Sequence, residues 1–195
     1  MKVGLYFGSF NPVHIGHLLL ATHIREAANL DEIWFVVSPQ NPFKQNSDLA
    51  AENHRLEMVK IAVENTDYFK VSDVEFNLPK PSYTYITLKH LKKEFPDYDF
   101  KLIIGKDNLE KFNEWKEAEW IKNNIEILAY NRSLGKRQKT KGNTMYDLQQ
   151  PTTKNLPLFD ISSTEIRNRI KNKLSIRYFV TDAVNKYIKE KNLYK

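Results

Sequence analysis

Two histidines three residues apart, His14 and His17, end the segment GSFNPVHIGH at positions 8–17. On a helix that spacing places both side chains on one face. Such a pair can ligate a metal or donate to anionic oxygens. A zinc ion asks for at least a third protein ligand, and none stands nearby, so the metal reading is poor. The anion reading gains from the neighbours. Gly8 lets the backbone approach a ligand, Pro12 fixes the turn, and Gly16 lets the start of a helix pack tightly. The unpaired N–H groups of a first helical turn and the positive end of its dipole add further attraction. Two incidental surface histidines are the plain alternative, and the joint occurrence of glycine, proline and both imidazoles at a strand-to-helix turn argues against it.

A second segment, ISSTEIR at 161–167, also has chemical content. Ser162, Ser163 and Thr164 can cap a helix whose first amides face phosphate oxygens, and Arg167 adds a forked cation. Taken as structure alone, Ser-Ser-Thr before an apolar period is an ordinary helix start.

The elements that must position these residues follow from hydrophobic spacing. Short apolar runs at 3–7, 33–37, 69–76, 100–104 and 125–129 predict strands, separated by helical patterns. The run at 33–37 is apolar on both faces, as a central parallel strand must be. Leu20, Ile24, Ala27 and Ala28 mark the buried stripe of a first helix, and Leu56, Val59, Ala62 and Val63 that of a second. Residues 85–95 predict a third helix and 109–122 a fourth, with Trp115 and Trp120 inside it. This alternation predicts an α/β fold, a Rossmann-like doubly wound parallel sheet of about five strands. Residues 131–157 are polar, basic and without period, and predict a long surface loop. Two helices should follow Ser162, giving one domain over 1–195, with a core at 1–160 and a small C-terminal helical part at 161–195.

Length and composition agree with one compact unit: 195 residues, 41% hydrophobic, 28% charged and 12% aromatic. These values exclude disordered, collagenous and repeat architectures. Zero cysteines exclude disulfides, thiolate nucleophiles and Cys-based zinc sites. Apolar runs stay far below the about 20 residues of a membrane span, and the first ten residues lack a secretory pattern, so the cytoplasm is expected. The net charge is +6, and residues 165–195 alone hold nine Lys or Arg against three Asp or Glu. That face attracts anions at long range.

GSFNPVHIGH resembles the H-x-G-H signature of the nucleotidyltransferase superfamily, and ISSTEIR resembles the ISSTxIR motif of its adenylyltransferases. PSYTYITL at 81–88 and IIGKDNLEKFNEWKEAE at 103–119 are similar to elements of the nicotinate-nucleotide adenylyltransferase family, and the likeness runs over most of the chain. The resemblance implies that ATP lies against Gly8, Ser9, Phe10, His14, Gly16, His17, Gly105, Asp107, Ile161, Ser162, Ser163 and Arg167. Asp107 and Gly105 would hold the ribose. His14, His17 and Arg167 would be catalytic, on opposite sides of one triphosphate cradle. It further implies that nicotinate mononucleotide meets Asn11, Lys44, Thr84, Trp115 and Arg132, with Trp115 stacked on the pyridine ring. Arg55 also matches the family and is assigned a structural role. The chain departs from the pattern at Asn11, where many relatives have Asp, and at Phe43, where many have His; an amide at 11 can still donate and accept.

The implied reaction is AMP transfer from ATP to nicotinate mononucleotide, with Mg2+ held mainly through the ATP phosphates and no protein metal site. Sister adenylyltransferases acting on nicotinamide mononucleotide or phosphopantetheine are the enzymatic alternatives, and a cytidylyltransferase fits the second motif less well. A non-catalytic nucleotide or nucleic-acid binder using the basic stretch 132–141 is the alternative of another class. That stretch lacks the interleaved aromatic residues of most single-strand binding surfaces, so neither nucleic acid nor membrane is expected as a partner. A homo-oligomer is compatible with the sequence.

Overall fold

The computed structural model describes residues 1–39, 49–130, 146–147 and 161–195. Among these residues six parallel strands form one sheet: β1 (Lys2–Gly8), β2 (Glu32–Val37), β3 (Phe69–Ser72), β4 (Asp99–Gly105), β5 (Glu126–Tyr130) and the short β6 (Tyr146–Asp147). Their order is β3-β2-β1-β4-β5-β6. The chain winds outward from β1 toward β3, then crosses back to β4 on the other side. The β1/β4 boundary is therefore the switch point, where loops from adjacent strands part and leave a crevice at the C-terminal ends.

Alternation along the strands supplies two cores. Ile33, Phe35, Val37, Ile103 and Leu128 point to one face, where they pack with Ala21 and Ile24 of α1 (Ile15–Ala27) and Met58 and Val59 of α2 (Glu52–Val63). Ile166 of α6 (Ser163–Lys171) and Val184 and Ile188 of α7 (Asp182–Glu190) join this same core. Val3, Leu5, Val36, Leu102 and Ile104 point to the other face, against Leu88 and Leu91 of α3 (Thr84–Glu94) and Ile121 of α5 (Ala118–Asn124). Period two in the strands thus feeds two helical layers. Among the described residues no helix is long and apolar enough to cross a membrane.

Three expectations need correction. The third strand ends at Ser72, and Val74–Phe76 forms a 3-10 turn instead. The Ser72 hydroxyl accepts the N–H of Val74 at 3.3 Å, which draws the backbone out of the ladder. The helix expected at 109–122 is broken into α4 (Lys106–Glu110), a 3-10 turn at Phe112–Glu114, and α5. Its apolar residues Leu109, Phe112, Trp115, Ala118 and Ile121 recur every three positions and all pack in the second core. On a continuous helix a spacing of three drifts by about 60° per step, so the stripe would rotate into solvent. An extended Trp115 (ψ 143°) and a left-handed Glu117 (φ 58°) reset it. Finally, the surface loop expected at 131–157 lies outside the described residues except at Tyr146–Asp147, which pair with β5 as a strand.

Candidate active site

His14 is the N-cap of α1, with extended backbone (φ −145°). Its N–H donates to Nδ1 of His17 at 3.2 Å. His17 thereby does what the acidic residue of a capping box does, reaching back to the cap N–H. Because Nδ1 accepts, the neutral ring holds its proton on Nε2. The two imidazoles stack with centroids 3.6 Å apart and planes 24° from parallel. A Cβ on residue 16 would stand 3.1 Å from Nδ1 of His14, so glycine there is what lets the ring lie over the helix start.

The distant motif reaches this turn directly. Ser163 Oγ donates to the carbonyl of Pro12 at 2.9 Å, and Arg167 Nη1 donates to the carbonyl of Asn11 at 2.9 Å. Arg167 Nη2 also reaches Thr164 Oγ1 at 3.3 Å. Ser162 caps α6 by accepting the Glu165 N–H at 3.1 Å, as its sequence position predicts. The N–H of Ile15 is taken by the carbonyl of Phe179 at 2.9 Å. Residues separated by about 150 positions therefore build one polar turn, with the start of α6 and the start of α1 side by side.

Arg55, fully buried, ties the same turn from beneath. Its guanidinium donates to the carbonyls of Ser9 and Ser38 at 2.7 Å and of Ala50 and Pro39 at 2.9 Å. Burial lowers its pKa, with the charges of Tyr194 and Glu52 opposing that shift. Asn11 Oδ1 accepts the N–H of Ala50 at 3.1 Å, so its amide binds one loop to another. Phe10 is packed among Tyr6, His17 and Phe35. At 2% exposure only its backbone can face a ligand. A Cβ on Gly8 would stand 2.8 Å from the Phe10 ring; the space that glycine leaves is filled by this ring.

Beside the turn a cavity of about 360 Å3 opens at the switch point, lined by Gly8 and Gly105 from the ends of β1 and β4 and by Thr84 and Trp115. His14, His17 and Arg167 are not part of its lining. Asp107 is exposed in the first turn of α4. Ile161 lies beside Gly16, its Cβ 3.7 Å from where a Cβ of residue 16 would be. Lys44 and Arg132 fall outside the described residues.

Sequence reasoning missed Glu75, Ser82, Tyr83 and Lys116, which also line the cavity. Glu75 is 1% exposed and accepts from Thr87 Oγ1 at 2.9 Å. Burial raises its pKa, and the hydroxyls of Ser38, Thr87 and Ser82 partly offset the rise. A glutamate between Val74 and Phe76 in an apolar run was its one signal.

The chain matches the model of the cytidylyltransferase-like family over residues 5–169. A probable nicotinate-nucleotide adenylyltransferase from Cytophaga hutchinsonii is 43% identical over 194 residues, covering 100% of this chain and 98% of the relative. Another from Bacteroides fragilis is 46% identical over 190 residues, covering 96% and 90%. In fold, the chain is similar to the Plasmodium falciparum nicotinic acid mononucleotide adenylyltransferase complexed with NaAD, with a TM-score of 0.81, 24% identity, and 99% and 97% of the two chains covered.

Proposed function

The chain belongs to the nicotinate-nucleotide adenylyltransferase family, and from that premise we propose that it transfers AMP from ATP to nicotinate mononucleotide. The products are nicotinate adenine dinucleotide and pyrophosphate. A 5′-phosphate oxygen of the mononucleotide attacks the α-phosphorus of ATP, the new P–O bond forms, and the bond to the β-phosphate oxygen breaks. The attacking oxygen is already anionic, so neither a general base nor a covalent intermediate is needed. Catalysis then rests on alignment and on spreading charge.

The observation that supports this reading is the meeting of the His14/His17 turn with Ser163 and Arg167 beside a cavity lined by Thr84 and Trp115. His17 Nε2–H and His14 are assigned to the phosphate oxygens where charge grows on the leaving pyrophosphate. Arg167 and the first amides of α6 are assigned to the opposite side, and Gly105 and Asp107 to the ribose. Thr84 and Trp115 are assigned to the pyridine ring, a flat heteroaromatic that an indole covers well. Lys44 and Arg132 keep their assignment to the mononucleotide phosphate on sequence likeness alone. Mg2+ would enter with ATP, held mainly through the nucleotide's phosphates, and would offset the negative charge that builds on them.

Pyrophosphate release separates the readings. The protein is incubated with ATP and magnesium and with nicotinate mononucleotide, nicotinamide mononucleotide or phosphopantetheine in turn. Fastest release with the nicotinate acceptor is expected. Faster release with either of the others, or none with any, would overturn the assignment.

A further inference from the structure

Selecting an acid over its amide on a pyridine ring is a problem of one negative charge, and the cavity holds few groups that respond to it. Among the described residues four ionisable side chains other than tyrosines line it: Glu75, Lys111, Glu114 and Lys116. Glu75 is 1% exposed and accepts from Thr87 Oγ1. Burial favours its neutral form, which reduces its repulsion of an incoming carboxylate. Lys111 and Glu114 are exposed at the two ends of the 3-10 turn and oppose each other in sign.

Lys116 differs from both in that its head group lies against aromatic rings. Its Nζ stands 4.8 Å from the ring centre of Tyr83 and 5.9 Å from that of Tyr85. An ammonium over two aromatic faces is held by their quadrupoles. Tyr83 directly precedes Thr84, and Lys116 directly follows Trp115, so this contact joins the two segments assigned to the pyridine ring. The extended backbone at Trp115 that corrects the apolar register is also what brings residue 116 to this position.

We propose that the Lys116 ammonium, held against Tyr83, is a specificity-determining charge that favours a pyridine ring bearing a carboxylate over its carboxamide counterpart. The proposal rests on the adenylyltransferase reading above and adds to it the group that distinguishes the two acceptors. Lys116 is exposed, so its effect is the modest one of a screened ion pair, about three- to fivefold, and it weakens as salt rises.

The test is equilibrium binding, which needs no turnover. Calorimetric titration of the full chain with nicotinate mononucleotide and with nicotinamide mononucleotide gives a ratio of affinities for the wild type and for Lys116→Met, Lys116→Glu and Lys116→Arg. The expected result is a ratio about three- to fivefold smaller in Lys116→Met, smaller still in Lys116→Glu, and restored in Lys116→Arg. A ratio unchanged within twofold in Lys116→Glu overturns the proposal. So does an equal loss for both ligands, which would place Lys116 at the phosphate that both share, or a wild type without preference. Pyrophosphate release by the same wild-type sample is read separately, so the adenylyltransferase reading can fail or stand independently of this ratio.

Discussion

At His17 the ring is oriented before any ligand arrives, because Nδ1 is held by the N–H of His14 at 3.2 Å and the proton is left on Nε2. A preoriented donor of this kind costs no reorganisation when charge develops. His17→Ala is expected to lower kcat about 100-fold or more in the pyrophosphate assay, and a rate within a few-fold of wild type would remove His17 from the mechanism. Glu75 allows a prediction of another kind. Its folded pKa lies above the ordinary 4.5, so the native state binds the proton more tightly than the unfolded chain does. The stability it contributes is present below pH 4.5 and is lost as pH rises through the folded pKa. Glu75→Gln, always neutral, should therefore gain Tm relative to wild type as pH is raised from 4 to 8. A difference in Tm that stays flat over this range would contradict the raised pKa.

At the scale of elements, Arg55 joins the end of β1 to the end of β2 through four carbonyl acceptors. Arg55→Met would leave the buried Pro39 carbonyl and the half-buried carbonyls of Ser9, Ser38 and Ala50 without this donor, at about 1–3 kcal/mol for each one that finds no water. A loss of about 3 kcal/mol or more in urea unfolding is expected, together with a fall in kcat as the Ser9 turn loosens. Unchanged stability would mean that the loops hold without it. The sequence foretold a structural role for this residue from motif likeness, but not the four carbonyls, since nothing in HRLEM says which loops lie above it. β1, β2, β4 and β5 were legible to within a residue or two because period two and doubly buried runs leave few alternatives. The segment 109–122 misled because apolar residues at spacing three, from Leu109 to Ile121, look helical locally, and only the sheet beneath shows that a straight helix would turn them away. Glu75 and Lys116 escaped for a related reason: their partners Thr87 and Tyr83 lie on other elements, and pairing across elements leaves no local pattern.

At the scale of the whole molecule, the doubly wound order puts the ends of β1 and β4 at the switch point, and the C-terminal helices return to this same edge. Ile166, Val180, Val184 and Ile188 belong to the core that also holds Ala21, Ile24 and Met58, so α6 shares an apolar core with α1 as well as the polar contacts of Ser163 and Arg167. The basic excess of residues 165–195, which begins in α6 beside the site, should speed capture of anionic substrates at low salt. A rise in ionic strength from 50 to 500 mM is expected to lower kcat/KM more than kcat, and equal effects on both would argue against steering. Everything chemical depends on two remote stretches sharing one triphosphate. A crystal structure of the protein with a non-hydrolysable ATP analogue and magnesium examines this directly. The account predicts phosphate oxygens within hydrogen-bond distance of both the His17 imidazole and the first amides of α6 or the Arg167 guanidinium. A triphosphate that touches only one of these stretches, or lies elsewhere on the molecule, would contradict it.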